Sequence, residues 1–179
     1  MDPEVVVSGV DESTDELDTE AMVAVLAERK ASAVAALRPD ALVIGCDTLL
    51  DLDHVALGKP ASAQEAADLC RRLSGRQGTL LTGHCLIAPD GRRARGVART
   101  LVRFGTPTEA EIAAYVATGA PMSLAGGFSI DGHGAPFVDG IDGDASNVIG
   151  LSLPMLRRLL ASLDLAITDL WRTPAAAPG

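Results

Sequence analysis

The chain has 179 residues, 47% of them apolar and 22% charged, with a formal net charge of −9. This length fits one domain with a substantial core, and the acidic balance argues against broad binding to nucleic acid or an anionic membrane, both of which want basic patches. No apolar run reaches membrane-spanning length and Met1-Asp2-Pro3-Glu4 is acidic where a secretory signal is basic, so the expected location is the cytoplasm.

In chain order, Pro3-Glu4-Val5-Val6-Val7-Ser8 predicts a strand. Residues 11–16 form an acidic helix start, and residues 17–37 continue as an Ala-rich helix that stops near Pro39. Residues 41–46 predict a second strand. Residues 48–57 alternate through Leu50, Leu52, Val55 and Leu57 around Asp53-His54, which predicts a hairpin. Ser62 opens a capping box with Glu65 and leads a helix to Leu73. Residues 79–87 and 94–104 read as strands joined by the turn Pro89-Asp90-Gly91. Thr106-Pro107-Thr108-Glu109 starts a helix that ends at Gly119. Residues 119–150 are glycine-rich and mostly loop, with a short strand at Phe137-Val138. Leu153-Pro154 opens the last helix, to about residue 165. A single domain over residues 1–165 and a disordered Ala/Pro-rich tail over 166–179 are expected. Helices and strands alternate, but with hairpins, so the fold class is α/β with a mixed sheet.

Two lysines stand against thirteen arginines, Lys30 and Lys59. The apolar run ending in Gly45-Cys46-Asp47-Thr48 reads as a buried strand that delivers a carboxylate and a hydroxyl to the sheet edge. Lys59 follows on the turn Gly58-Lys59-Pro60, a compact charge where a phosphate could sit. Such a ligand is compatible with an acidic protein, because a metal ion neutralises both. The turn is not a phosphate-binding P-loop, which needs Gly where Asp53 stands and Ser or Thr where Pro60 stands. Asp142-Gly143-Asp144 is not a calcium loop either, since its twelfth position is Leu153. Cys46, Cys70 and Cys85 form no C-x-x-C pair, and His54, His84 and His133 lack zinc-ligand spacing; all six read as packing or surface.

A wider set of motifs resembles the Maf family. It comprises Ser8-Gly9-Val10-Asp11-Glu12, Ala27-Glu28-Arg29-Lys30-Ala31, Gly45-Cys46-Asp47-Thr48 and Leu57-Gly58-Lys59-Pro60. It continues with Leu73-Ser74-Gly75-Arg76, Leu81-Thr82-Gly83, residues 115–122, Ala125-Gly126-Gly127-Phe128 and residues 143–150. The pieces occur in family order over residues 7–160. The resemblance implies an inosine-triphosphatase-like fold: an elongated twisted sheet flanked by helices, with two lobes around a cleft. It implies a nucleoside triphosphate pyrophosphatase that cleaves a (d)NTP to (d)NMP and pyrophosphate with a divalent metal, Mg or Mn. The family role is removal of noncanonical or surplus pyrimidine nucleotides, and an older label is septum formation inhibitor.

Residue by residue, the resemblance makes Asp47 the catalytic aspartate that activates water. It puts Glu12 near the metal with Asp47, Lys30 and Lys59 near the triphosphate, and Thr48 at a position linked to base choice. Three of them have a plainer reading: a strand-end cap for Asp47, complementing a helix dipole for Glu12, a solvated helix face for Lys30. Where many members carry Lys and Gln, this chain has Leu124 and Asp131, so Asp131 is expected to alter base recognition.

Members also open with a strand and a Ser-x-Ser-x-x-Arg loop, whereas this sequence begins at what corresponds to the second strand. The expectation is an exposed strand at Val5-Val6-Val7 that pairs with another chain, a homodimer being one outcome, and weak hydrolysis. A catalytically weak nucleotide-binding or regulatory protein is thus the alternative function, and a phosphomonoesterase a third.

Overall fold

The computed structural model describes residues 3–14 and 18–171. Asp18 opens the first helix, α1 (Thr19–Leu37), by accepting the Ala21 N–H at 2.8 Å. Val23, Leu26, Ala27 and Ala31 recur at helical spacing and form its buried stripe. The next elements are β1 (Val43–Leu52) and β2 (Val55–Leu57), which pair with Leu50 opposite Leu57. Asp53 and His54, at φ 54° and 64°, make the two-residue turn that the alternation predicts. Ser62 caps α2 (Ala63–Leu73) through the Glu65 N–H. The longest pairing joins β3 (Gln77–Ile87) to β4 (Arg93–Phe104) across the Pro89-Asp90-Gly91 turn. A reciprocal Thr108–Glu111 capping box starts α3 (Glu109–Ala117). Single 3-10 turns then lead to β5 (Val138–Asp142), α4 (Ala145–Val148) and α5 (Leu153–Ser162).

Helices and strands do alternate around one sheet, of order β2-β1-β3-β4-β5. All its pairings among the described residues are antiparallel, where a mixed sheet was expected. The reason lies in the amino-terminal segment. Residues 3–8 carry no ladder pairing, and Val5 and Val7 are 90% and 88% exposed. β-branched residues favour a strand only where they pack on a sheet face and their backbone groups find partners. Here the segment is instead tied to the end of α1 by Glu4–Arg38, 2.7 Å.

The acidic helix start is also corrected. Residues 11–14 are irregular, because the Asp11 carboxylate takes the N–H and hydroxyl of Ser13, a local bond that competes with a helical turn. Residues 15–17 lie outside the described residues. At the other end, Ile167–Leu170 forms a 3-10 turn whose Ile167 and Leu170 pack on the α5 core, although a disordered tail was expected from residue 166. Residues 172–179 lie outside the described residues.

The sheet has two different faces. Odd-numbered residues of β1 and β3 face α1, and they include two glycines under its backbone. A Cβ on Gly45 would lie 2.5 Å from the Ala27 carbonyl oxygen, and one on Gly83 only 2.0 Å from that of Val23. Even-numbered residues face the main cores: Leu50, Leu52, Leu80, Val102 and Phe104 under α2, and Leu86 with Leu156 and Leu160 of α5.

Candidate active site

Asp47 is an odd residue of β1, so it points at α1. Its partner across the ladder is Gly83, which leaves the helix free to come close. Lys30, one turn beyond the contact at Ala27, donates to Asp47 Oδ1 at 2.5 Å and lies 2.7 Å from Glu12 Oε1. Two carboxylates from distant parts of the chain thus converge on one ammonium.

Their environments differ. The Asp47 side chain is 10% exposed and that of Glu12 is 62% exposed. Burial pushes the Asp47 carboxyl above the usual range; the Lys30 bond and charge and the more distant Lys59 oppose that rise, while Glu12 adds to it. Burial works against the Lys30 ammonium, but the bonds to Asp47 and Glu12 outweigh it and raise its pKa. Lys30 is therefore charged, and Asp47 is more basic than an ordinary aspartate.

Lys59 is exposed on the turn after β2, between Gly58, whose carbonyl accepts the Gly126 N–H at 2.8 Å, and buried Pro60. Its charge is felt at Asp47. Direct contacts thus join Glu12, Lys30 and Asp47, whereas Lys59 acts on Asp47 through its charge alone.

The fold does not bring Thr48 or Asp131 to that ion cluster. Thr48 is an even residue, and its hydroxyl meets Thr82 Oγ1 at 3.0 Å on the opposite face. Thr82 in turn donates to the Asn147 carbonyl, and the Asn147 side-chain N–H groups reach Thr100 Oγ1 and the Leu80 carbonyl. Asp131 is exposed in the loop before the 3-10 turn Gly132–Phe137, its carbonyl accepting the Ser129 hydroxyl at 2.6 Å.

Two contributors have no role in the sequence reading: Gly83, which admits α1, and Arg29, which bonds the loop around Glu12. The signal for Gly83 was available, since a glycine within a strand marks close backbone approach.

Glu12 and Asp47 suit a hard divalent cation. Carboxylate oxygens are its preferred donors, magnesium commonly takes one or two of them beside substrate phosphates, and these two already gather around a positive charge. Among the described residues, no group of three His, Cys, Asp or Glu side chains is placed to hold a metal, so further ligands would come from substrate and water.

Comparison with known proteins places the chain in a family. The family of Maf-like proteins matches residues 1–163. A nucleoside triphosphate pyrophosphatase of Streptomyces coelicolor is 59% identical over 174 residues, covering 94% of this chain and 84% of its own. One from Salinispora tropica is 51% identical, covering 96% and 79%, and one from Mycobacterium sp. (strain JLS) is 46% identical, covering 96% and 89%. With this match spanning residues 1–163 of 179, the chain belongs to the family of Maf-like proteins.

Proposed function

We propose that the protein is a nucleoside triphosphate pyrophosphatase, hydrolysing an NTP to the nucleoside monophosphate and pyrophosphate. The observation that carries this reading is the convergence of Glu12 and Asp47 on Lys30 in a chain up to 59% identical to proteins of that name. In the reaction a water oxygen bonds to the α-phosphorus, the bond from that phosphorus to the bridging oxygen breaks, and pyrophosphate leaves with the electron pair. Asp47 takes the water proton on a carboxylate oxygen, and its raised pKa suits it to the task. Lys59, exposed on its turn, would meet the polyphosphate charge, while Lys30 holds Asp47 in place and adds a second positive charge beside it. Glu12 and Asp47 would hold the divalent cation, magnesium or manganese, which when bound supplies charge neutralisation and a more acidic water. The location that goes with this reading is the cytoplasm.

Product analysis tests it. The protein is incubated with a panel of canonical and modified NTPs and either cation, and the products are separated. Stoichiometric pyrophosphate and monophosphate are expected. Orthophosphate would indicate a phosphomonoesterase instead, and binding without turnover a nucleotide-binding protein.

A further inference from the structure

Glu12 belongs to a stretch without secondary structure, and its side chain is more than half exposed. Among the described residues, no backbone hydrogen bond of its own directs it at Lys30. Yet the two residues that flank it are both restrained by one side chain. Arg29 Nη1 donates to the Asp11 carbonyl at 3.2 Å and to the Ser13 carbonyl at 2.7 Å. Between those anchors the Asp11 carboxylate accepts the Ser13 N–H at 3.0 Å and the Ser13 hydroxyl at 2.7 Å, which closes the turn with Glu12 at its apex. Arg29 and Lys30 are consecutive on α1, so the helix that presents the ammonium to Asp47 also grips the backbone carrying Glu12.

We infer that Arg29 is a positioning residue for Glu12: it spends its guanidinium on two backbone carbonyls and so sets where the second carboxylate of the site lies. The inference rests on the reading of Glu12 and Asp47 as cation ligands. Both bonds come from the one terminal nitrogen Nη1, whose two N–H groups are fixed in the guanidinium plane, whereas an ammonium is a rotating point donor. Positioning and simple charge have opposite signs here. Removing a nearby positive charge favours cation binding, whereas releasing Glu12 disfavours it.

The test is the binding of Mn2+ to the nucleotide-free protein, read from the electron paramagnetic resonance signal of the unbound ion. Arg29→Ala is expected to weaken binding about tenfold, the loss typical of a group that orients a metal ligand. Arg29→Lys, which keeps the charge but not the fixed planar pair of N–H donors, is expected to lose part of that affinity, and it carries the test if Arg29→Ala does not fold. In a Glu12→Gln background, Arg29→Ala is expected to cause no further weakening. Equal losses in both backgrounds, tighter binding in Arg29→Ala, or no Mn2+ binding by the unmodified protein would each overturn the inference. Pyrophosphate release by the unmodified protein is scored separately. If it is absent while the Mn2+ cycle closes on Glu12, the proposed activity fails and the positioning role stands.

Discussion

Asp47 and Thr48 are consecutive in β1, and they serve regions with little in common. Asp47 lies under α1 among charges, with Lys30 and Glu12 beside it and glycine across the ladder. Thr48 lies on the other face among neutral groups, where Thr82, Asn147 and Thr100 form a hydrogen-bonded chain toward α4. One face leaves a carboxylate with raised pKa near a helix whose approach depends on missing side chains. The other satisfies buried polar atoms within the protein, apart from the Asn147 side-chain oxygen, which has no partner among the described residues. The charged cluster and the neutral network thus lie on opposite faces of one strand, and under the proposed function this arrangement predicts which substitutions change rate and which change stability.

The largest effect belongs to the charged face. Asp47→Asn keeps the shape of the side chain and removes its basicity, so pyrophosphate release should fall by roughly 10²–10⁴-fold, the usual cost of losing a general base. Circular dichroism should report an unchanged fold. Near-normal turnover in this variant would take Asp47 out of the mechanism.

Next comes the glycine that lets the two elements meet. Gly83→Ala forces a methyl group against the Val23 carbonyl and the Ala24 nitrogen, which are backbone atoms with no rotamer to yield. Overpacking of this kind costs about 3 kcal/mol, measurable by urea unfolding, and it pushes α1 and Lys30 away from Asp47. Activity per folded molecule should drop as well. If stability falls and activity does not, the close approach of α1 matters to the fold alone.

Thr48→Val sharpens the contrast from the other face. It removes one hydrogen bond, to Thr82, and should cost about 1 kcal/mol of stability. The rate should stay within a few fold, far from the loss in Asp47→Asn. A comparable loss in both variants would mean that the two faces are not independent.

The smallest effect is a pH dependence. His84 is buried, its Nδ1 bonded to the Thr82 carbonyl and its Nε2 accepting the Ser152 N–H at the start of α5, both at 2.9 Å. Burial lowers its pKa below 6.5, although Asp144 and the Thr82 carbonyl oppose this. A folded-state pKa depressed in this way means the unfolded chain binds the extra proton first. The contribution to stability is therefore complete above about 6.5 and is lost as pH falls below it toward the folded value. Urea midpoints across this range should slope downward toward acid, and His84→Gln, which keeps an acceptor near Ser152, should flatten the slope.

What the sequence determined by itself was local. Asp53-His54, Pro89-Asp90-Gly91, Ser62 with Glu65, and Thr108 with Glu111 announce turns and caps because the requirement and the residue that meets it lie within a few positions. The resemblance of the ordered motifs to the Maf family singled out Glu12, Lys30, Asp47 and Lys59, and the fold brings the first three into contact. Only the tertiary structure decided how these pieces are shared out. Residues 3–8 have the composition of a strand but no ladder, and a strand is a pairing between segments, not a property of one. Thr48 shares a motif with Asp47 but not a face, because side chains alternate along a strand that runs on to Leu52 instead of ending at Cys46. Gly45 and Gly83 are ordinary residues until α1 is laid across them, and Arg29 is an ordinary surface arginine until residues 11–13 come within its reach. Those contacts join positions far apart in the chain, and their energies exist only once the chain has folded.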